Sequence, residues 1–185
     1  VKGKGGQTLN QKVVDSWYGL EGSGRVSLFN SYGPAEATVG VTYVKITRDM
    51  QEIPIGKPLP NIMAVPVGRS GNPRPIGLIG EIVLGGECLS DGYLGRDELT
   101  RARFQEMSLG REQGPKTRVY RTGDFGWYGA DGLLRFLGRE DRQVKVRGFR
   151  IEIEEVEAHL CHIEGVTSAA VFEQDGHLYG AVVSS

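Results

Sequence analysis

The residues able to do chemistry crowd into one stretch of the chain. Tyr120-Arg121-Thr122-Gly123-Asp124 is followed by Gly138-Arg139-Glu140-Asp141-Arg142-Gln143-Val144-Lys145-Val146-Arg147-Gly148. The spacing predicts a Thr-Gly-Asp turn and a Gly-Arg-x-Asp turn one short hairpin apart. Such turns bring a carboxylate, a guanidinium and a lysine near one another. A carboxylate accepts hydrogen bonds from a diol, and cations hold anionic oxygens. The ligand that suits this set carries both hydroxyls and phosphates. Taken alone, Asp124 also reads as an ordinary Asx-type turn residue.

A second candidate is Asn30-Ser31-Tyr32-Gly33-Pro34-Ala35-Glu36. It reads as a tight strand-to-loop turn in which Tyr32 can stack on a planar ring. Glu36 supplies a hard oxygen ligand for a divalent cation. On its own the segment is equally an ordinary Gly-Pro turn. Gly3-Lys4-Gly5-Gly6-Gln7-Thr8 misses the Gly-x4-Gly-Lys-[Ser/Thr] spacing of a phosphate loop. It would still leave backbone amides open before a helix start. His159 and His162 lie three residues apart on an expected helix, with no third metal ligand evident. Glu154, Glu155 and Glu157 read as a solvated helix face, and Trp17, Trp127 and Tyr128 as packing.

Three textures position these residues. Leu9, Val13 and Trp17 recur at helical spacing over residues 8–18, with Thr8 or Asn10 as caps. Val26 to Phe29 then reads as a buried strand, and Val39, Val41, Tyr43 and Ile46 as an alternating one. Residues 1–53 therefore look like the end of a layered α/β core. Over 54–140 short apolar runs (Ile62 to Val67, Gly80 to Leu84, Val119 to Arg121, Leu133 to Leu137) alternate with Gly, Pro and Asp-Gly turn signals. That pattern predicts a small β-barrel-like unit with one helix near Asp97 to Phe104. From 141 to 185 a strand around Val144 and Val146, a helix marked by Ile153, Val156, Leu160 and Ile163, and two further strands predict the start of a β-α-β-β subdomain. The expected fold class is thus mixed α/β and β.

Bulk properties narrow the function classes. The chain has 185 residues and a net charge of -1, so no basic excess points to nucleic acid. No apolar run approaches the ~20 residues of a membrane helix, and a cytoplasmic location is expected. Cys88 and Cys161 are far apart and read as buried or half-buried thiols of a reducing compartment rather than a disulfide. The 28 glycines are scattered between apolar runs, as in a turn-rich strand fold. The abrupt start at Val1-Lys2-Gly3 and the ending after a strand-like run predict a piece of a longer protein.

Combined and in order, these segments resemble a family. Asn30-x-Tyr32-Gly33-Pro34-x-Glu36, Ile55-Gly56-Lys57-Pro58, Gly80-Glu81-Ile82-x-x-Gly85-Gly86-Glu87-x-Leu89-x-x-Gly92-Tyr93, Tyr120-Arg121-Thr122-Gly123-Asp124 and Gly138-Arg139-x-Asp141-x-Gln143-Val144-Lys145-Val146-Arg147-Gly148-x-Arg150-x-Glu152 closely resemble the adenylation domains of nonribosomal peptide synthetases. These belong to the adenylate-forming superfamily, with acyl-CoA synthetases and luciferases. The resemblance spans nearly the whole chain, and its last stretch favours the peptide-synthetase branch over acyl- or aryl-CoA ligases. A degenerate, non-catalytic nucleotide-binding domain is the rival from another class.

The resemblance implies activation of an amino acid with ATP and Mg2+ as an aminoacyl-adenylate. Transfer to the phosphopantetheine thiol of a peptidyl-carrier domain would follow, with a condensation domain expected in the same polypeptide. By match to the family pattern, Tyr32 packs on adenine beside Gly33, Glu36 holds Mg2+, and Asp124 binds the ribose hydroxyls. Phe136 lies near the nucleotide, and Arg139 reaches ribose or phosphate. Asp141 matches a hinge, and Lys145 and Gly148 match the strand pair used in the second half-reaction. Gly3, Gly5, Ser31, Val39 and Gly40 match positions lining the amino-acid pocket; three of the five are Gly, which implies a roomy pocket. Ala35 departs from the family's usual Thr and loses a hydroxyl contact to phosphate. The family's phosphate loop, amino-binding Asp and C-terminal catalytic Lys match no position in this chain, so the chain alone is expected to be inactive.

Overall fold

The computed structural model describes residues 9–109, 114–139, 141–146, 149–174 and 176–184. The chain divides into two compact units, Leu9–Glu140 and Asp141–Ser185.

The first unit opens with helix α1, Gln11–Tyr18, whose Asn10 side chain accepts from the Val13 amide at 3.1 Å. This satisfies an amide that the first turn leaves without an intrahelical partner. Strands β1 (Leu28–Tyr32), β2 (Thr42–Ile46) and β3 (Lys57–Pro58) form an antiparallel sheet in the order β1-β2-β3. The apolar face of α1 seals one side: Val14, Leu28 and Ile46 are buried together, with Leu9, Trp17, Tyr18 and Val44 packed around them. Trp17 thus has the packing role expected of it.

The rest of the unit is an antiparallel sheet of five strands. β4 (Ile62–Val67), β5 (Gly80–Gly86), β6 (Phe104–Met107), β7 (Thr117–Tyr128) and β8 (Leu134–Arg139) are joined in the order β4-β5-β7-β6, with β8 also on β7. Helix α2, Asp97–Arg103, precedes β6, close to where the sequence predicts it. The barrel-like expectation gives way to an open sheet. β7 spans 12 residues and uses one edge for β5. It shares the other edge between β6 at residues 117–120 and β8 at residues 124–128. No pairing among the described residues closes the sheet. Its buried face carries Ala64, Ile82, Leu84, Tyr120 and Leu134, with Tyr128 packed against them.

The two sheets meet where Gly56 and Leu134 exchange backbone bonds, with the Ile55 amide also donating to the Leu134 carbonyl. Gly56 has φ 103°, and a Cβ there would lie 2.4 Å from the Tyr43 carbonyl. A side chain at this position would push β2 away from its neighbour.

In the second unit, β9 (Val144–Val146) and β10 (Phe149–Ile151) form a hairpin where the sequence predicts one strand. Helix α3 (Ile153–Cys161) follows, then the antiparallel pair β11 (Val166–Gln174) and β12 (His177–Ser184). Glu157 departs from its expected solvated role. Its carboxylate takes both Arg142 Nη1 and Nη2 at 2.8 Å and accepts the Val171 amide at 2.7 Å, tying α3 to β11. Both cysteines are free thiols, but Cys161 is exposed rather than buried. No helix of the described residues is long and apolar enough to cross a membrane.

Candidate functional site

Thr122-Gly123-Asp124 is not a turn. It is a bulge inside the continuous strand β7, with register shifts against β5 and β8 on either side. Gly123 has φ 72°, in the left-handed region that a side chain disfavours. The bulge is braced from below. Glu81 on β5 is 7% exposed. Its Oε1 accepts the Gly123 amide at 3.1 Å, and its Oε2 accepts Arg121 Nε at 3.0 Å and also Arg121 Nη2. The Thr122 hydroxyl donates to the Ile82 carbonyl at 2.7 Å and accepts the Asp124 amide at 2.9 Å. The bonds to the Gly123 and Asp124 amides and to the Ile82 carbonyl hold backbone that a bulge takes out of the ladder.

The bulge presents Asp124, which is 7% exposed. Asp124 pairs directly across the sheet with Arg139 on β8. Arg139 Nη1 lies 2.6 Å from Oδ1, and the Tyr32 hydroxyl donates to Oδ2 at 2.5 Å. Burial and the neighbouring Asp124 charge raise the Tyr32 phenol well above its usual value, so it remains a donor. Tyr32 is the last residue of β1 rather than part of a turn, and its ring is 6.4 Å from Phe136, tilted 33°. Tyr32, Asp124, Phe136 and Arg139, distant in sequence, therefore form one cluster. With one bond on each oxygen, Asp124 keeps lone-pair capacity for a ligand hydroxyl.

Residues 33–41 connect β1 to β2. Gly33 is required by close approach, since a Cβ there would meet the Val39 carbonyl oxygen at 2.6 Å. Glu36 sits in the short helical turn Ala35–Ala37 and is 8% exposed. Thr38 and Val39 both adopt left-handed backbone, at φ 59° and 64°. Val39 therefore lies outside the strand predicted for it, and its side chain is 68% exposed. Ser31 and Gly40 face each other: a Cβ on Gly40 would be 3.8 Å from Ser31 Oγ.

A loop over residues 88–93 is latched onto this connection. Thr38 Oγ1 donates to the Cys88 carbonyl at 2.8 Å, the Ser90 amide donates to the Glu36 carbonyl at 2.9 Å, and the Tyr93 hydroxyl donates to Glu36 Oε1 at 2.8 Å. Among the described residues no group of three or more His, Cys, Asp or Glu side chains is placed to hold a metal. A single buried carboxylate group such as that of Glu36, bonded to Tyr93, nevertheless fits Mg2+, which binds through one or two carboxylates together with substrate phosphates.

A family model described as "AMP-binding enzyme" matches residues 2–94, half of the chain. The chain belongs to the AMP-binding enzyme family. It is 43% identical over 174 residues to bacitracin synthase 2 of Bacillus licheniformis, a match covering 92% of this chain and 6% of that protein. It superposes on holo-PA1221, a nonribosomal peptide synthetase protein containing adenylation and PCP domains bound to a vinylsulfonamide inhibitor. The TM-score is 0.85 at 31% identity, over 98% of this chain and 32% of that one. A four-domain nonribosomal peptide synthetase, AB3403, bound to AMP and glycine matches with a TM-score of 0.65 at 36% identity, over 98% of this chain and 14% of that one. The chain thus spans a small part of each relative. The resemblance to peptide-synthetase adenylation domains holds, and with it the mixed α/β architecture.

Against this family pattern, Gly3, Gly5 and Gly148 lie outside the described residues. Lys145 is exposed on β9, in register with Arg150 on β10. Asp141 Oδ1 accepts the Gln143 amide at 3.3 Å at the start of the second unit. His159 and His162 each engage a carbonyl four residues back, Glu155 and Ala158, through Nδ1. Glu81, Thr122 and Tyr93 are the residues that sequence reasoning passed over. Glu81 and Tyr93 sit inside the quoted Gly80-to-Tyr93 motif, so a signal was present. Their partners are remote in sequence, and spacing alone does not pair them.

Proposed function

We propose that the parent protein activates an amino acid with ATP and passes it to a carrier-protein phosphopantetheine thiol, and that this chain forms part of the ATP site. The observation that carries this reading is Asp124, presented by a braced bulge to Arg139 and the Tyr32 hydroxyl, with Phe136 beside the Tyr32 ring. Asp124 would accept the ribose hydroxyls. Tyr32 and Phe136 would flank the adenine beside the tight Gly33 approach. Arg139 would give up part of its hold on Asp124 to reach ribose or phosphate oxygens. Glu36 would hold Mg2+, which when bound neutralises charge on the reacting phosphates. Catalysis of this kind is positioning and electrostatic stabilisation rather than covalent chemistry by the protein.

Gly3, Gly5, Ser31, Val39 and Gly40 would line the amino-acid pocket. The small side chains suit a bulky or modified substrate. We assign Asp141 as the pivot of the second unit, and Lys145 and Gly148 to the thioester-forming step. A carrier domain and a condensation domain are the expected neighbours in the polypeptide.

Pyrophosphate exchange on the full-length protein, with amino-acid pools against fatty and aryl acids, tests the substrate class. Exchange with amino acids is expected; exchange confined to the other acids would move the protein to the acyl- or aryl-acid ligases, and none with any would mark it as non-catalytic. For Lys145→Ala, thioester formation should fall about tenfold, the worth of one charged hydrogen bond, with exchange little changed. Equal losses in both half-reactions would remove Lys145 from this role.

A further inference from the structure

We propose that Tyr93 is the positioning residue for Glu36, orienting its carboxylate to receive a Mg2+ ion that arrives with ATP phosphates. The proposal rests on the reading of Glu36 as the metal ligand.

The loop over residues 88–93 already holds the main chain beside Glu36 through the Ser90 amide and the Cys88 carbonyl. Neither bond touches the carboxylate. The Tyr93 hydroxyl does, at 2.8 Å from Oε1. Fixing one oxygen fixes the rotation of the carboxylate plane, and that plane decides where a cation can sit.

Tyr93 is itself held firmly. Its amide donates to Thr100 Oγ1 at 2.9 Å. The preceding Gly92 has φ 144°, and a Cβ there would meet the Thr100 side chain at 2.4 Å, so the chain packs tightly against α2. The ring meets Phe104 edge-on at 5.9 Å, and the hydroxyl lies 3.4 Å from that of Tyr120. A phenylalanine would fill the same space. The hydroxyl adds polar contacts alone.

The chemistry of the donor also fits a metal ligand. The Tyr93 hydroxyl is an uncharged donor, held at 2.8 Å from Glu36 Oε1. A neutral donor orients a carboxylate without cancelling its charge. A guanidinium, such as the one on Asp124, would compete with the incoming cation.

The test is made on the full-length protein with Tyr93→Phe and Glu36→Gln. Mn2+ binding is read by electron paramagnetic resonance in the presence of a non-hydrolysable ATP analogue, and the Mg2+ dependence of pyrophosphate exchange is measured beside it. Tyr93→Phe should weaken Mn2+ binding about tenfold, the scale on which outer partners of metal ligands act. It should raise the Mg2+ needed for half-maximal exchange by a similar factor, with excess Mg2+ restoring the rate. Metal-free binding of the analogue and the thermal midpoint should stay unchanged. Unaltered metal affinity in Tyr93→Phe alongside a loss in Glu36→Gln overturns the proposal and leaves Glu36 as ligand. Unaltered affinity in Glu36→Gln overturns both. A Tyr93→Phe protein with a lowered midpoint and equal losses of metal and nucleotide would make Tyr93 a packing residue, which also overturns the proposal.

Discussion

Two carboxylate–arginine pairs of like chemistry, one in each unit, are built to opposite ends. In the second unit Glu157 takes both arms of Arg142 and the Val171 amide. Three donors occupy it, and Arg142 is half exposed. In the first unit Asp124 takes one arm of Arg139 and one phenol, and the side chains are 11% and 16% exposed. A carboxylate has about four lone-pair sites, so Asp124 retains capacity and Glu157 is nearly full. The difference separates a carboxylate with room for a ligand, as proposed for Asp124, from one used up as scaffold. The saturated pair pins a helix to a strand, whereas the unsaturated pair is held open by bracing that reaches it through the backbone.

The comparison breaks most directly at Asp124. Asp124→Ala in the full-length protein should weaken ATP binding by about 1–3 kcal/mol, the cost of partners left without their acceptor; calorimetry reads it, and unchanged affinity would end the ribose assignment. Next in size is the bracing. Glu81→Gln should lower unfolding stability by about 1–2 kcal/mol, since a charged hydrogen bond from Arg121 is lost near the sheet interior, and ATP affinity should follow more weakly. Denaturant melts beside nucleotide titrations separate the two. Val39→Gly should instead stabilise by about 1 kcal/mol, because it relieves a β-branched residue in left-handed backbone, while shifting which amino acids support exchange.

The smallest effect is the pH response of the saturated pair. Arg142 holds Glu157 below its ordinary 4.5, chiefly through their hydrogen bonds. The folded value lies below the unfolded one, so the stabilisation is present above about pH 4.5 and is lost as pH falls through the folded value. Asp131, bonded to Arg135, behaves likewise, at about 2 against 3.8. Melts across this acid range should show a slope that Arg142→Ala reduces, with little change at neutral pH. An identical slope in the variant would leave Glu157 without this role.

Much of this arrangement is legible in the sequence, and the residues show where legibility stops. The apolar run Ile62 to Val67 is legible as a strand because it is short and bounded by turn signals. The order of motifs reveals Tyr32, Glu36, Asp124 and Arg139. Gly123 misleads, since a glycine between polar residues reads as a turn while here it permits a bulge within twelve unbroken strand residues. Val39 misleads through its β-branched side chain; the Gly33 approach and the latch at Cys88 override that preference. Glu157 looks solvated because its partners, Arg142 and Val171, come from segments on either side of α3. Glu81 and Tyr93 stay silent for the same reason.

The latch between residues 33–41 and 88–93 divides labour within a single loop. Its base, at Glu36 and Thr38, is bonded in place, while Val39 projects outward and Gly40 has ordinary room for a methyl group. Mutations at those two positions can accumulate without disturbing the Glu36 carboxylate, three and four residues earlier. Under the proposed assignment, a duplicated copy of such a module could drift in what it accepts while inheriting intact the means of activating it.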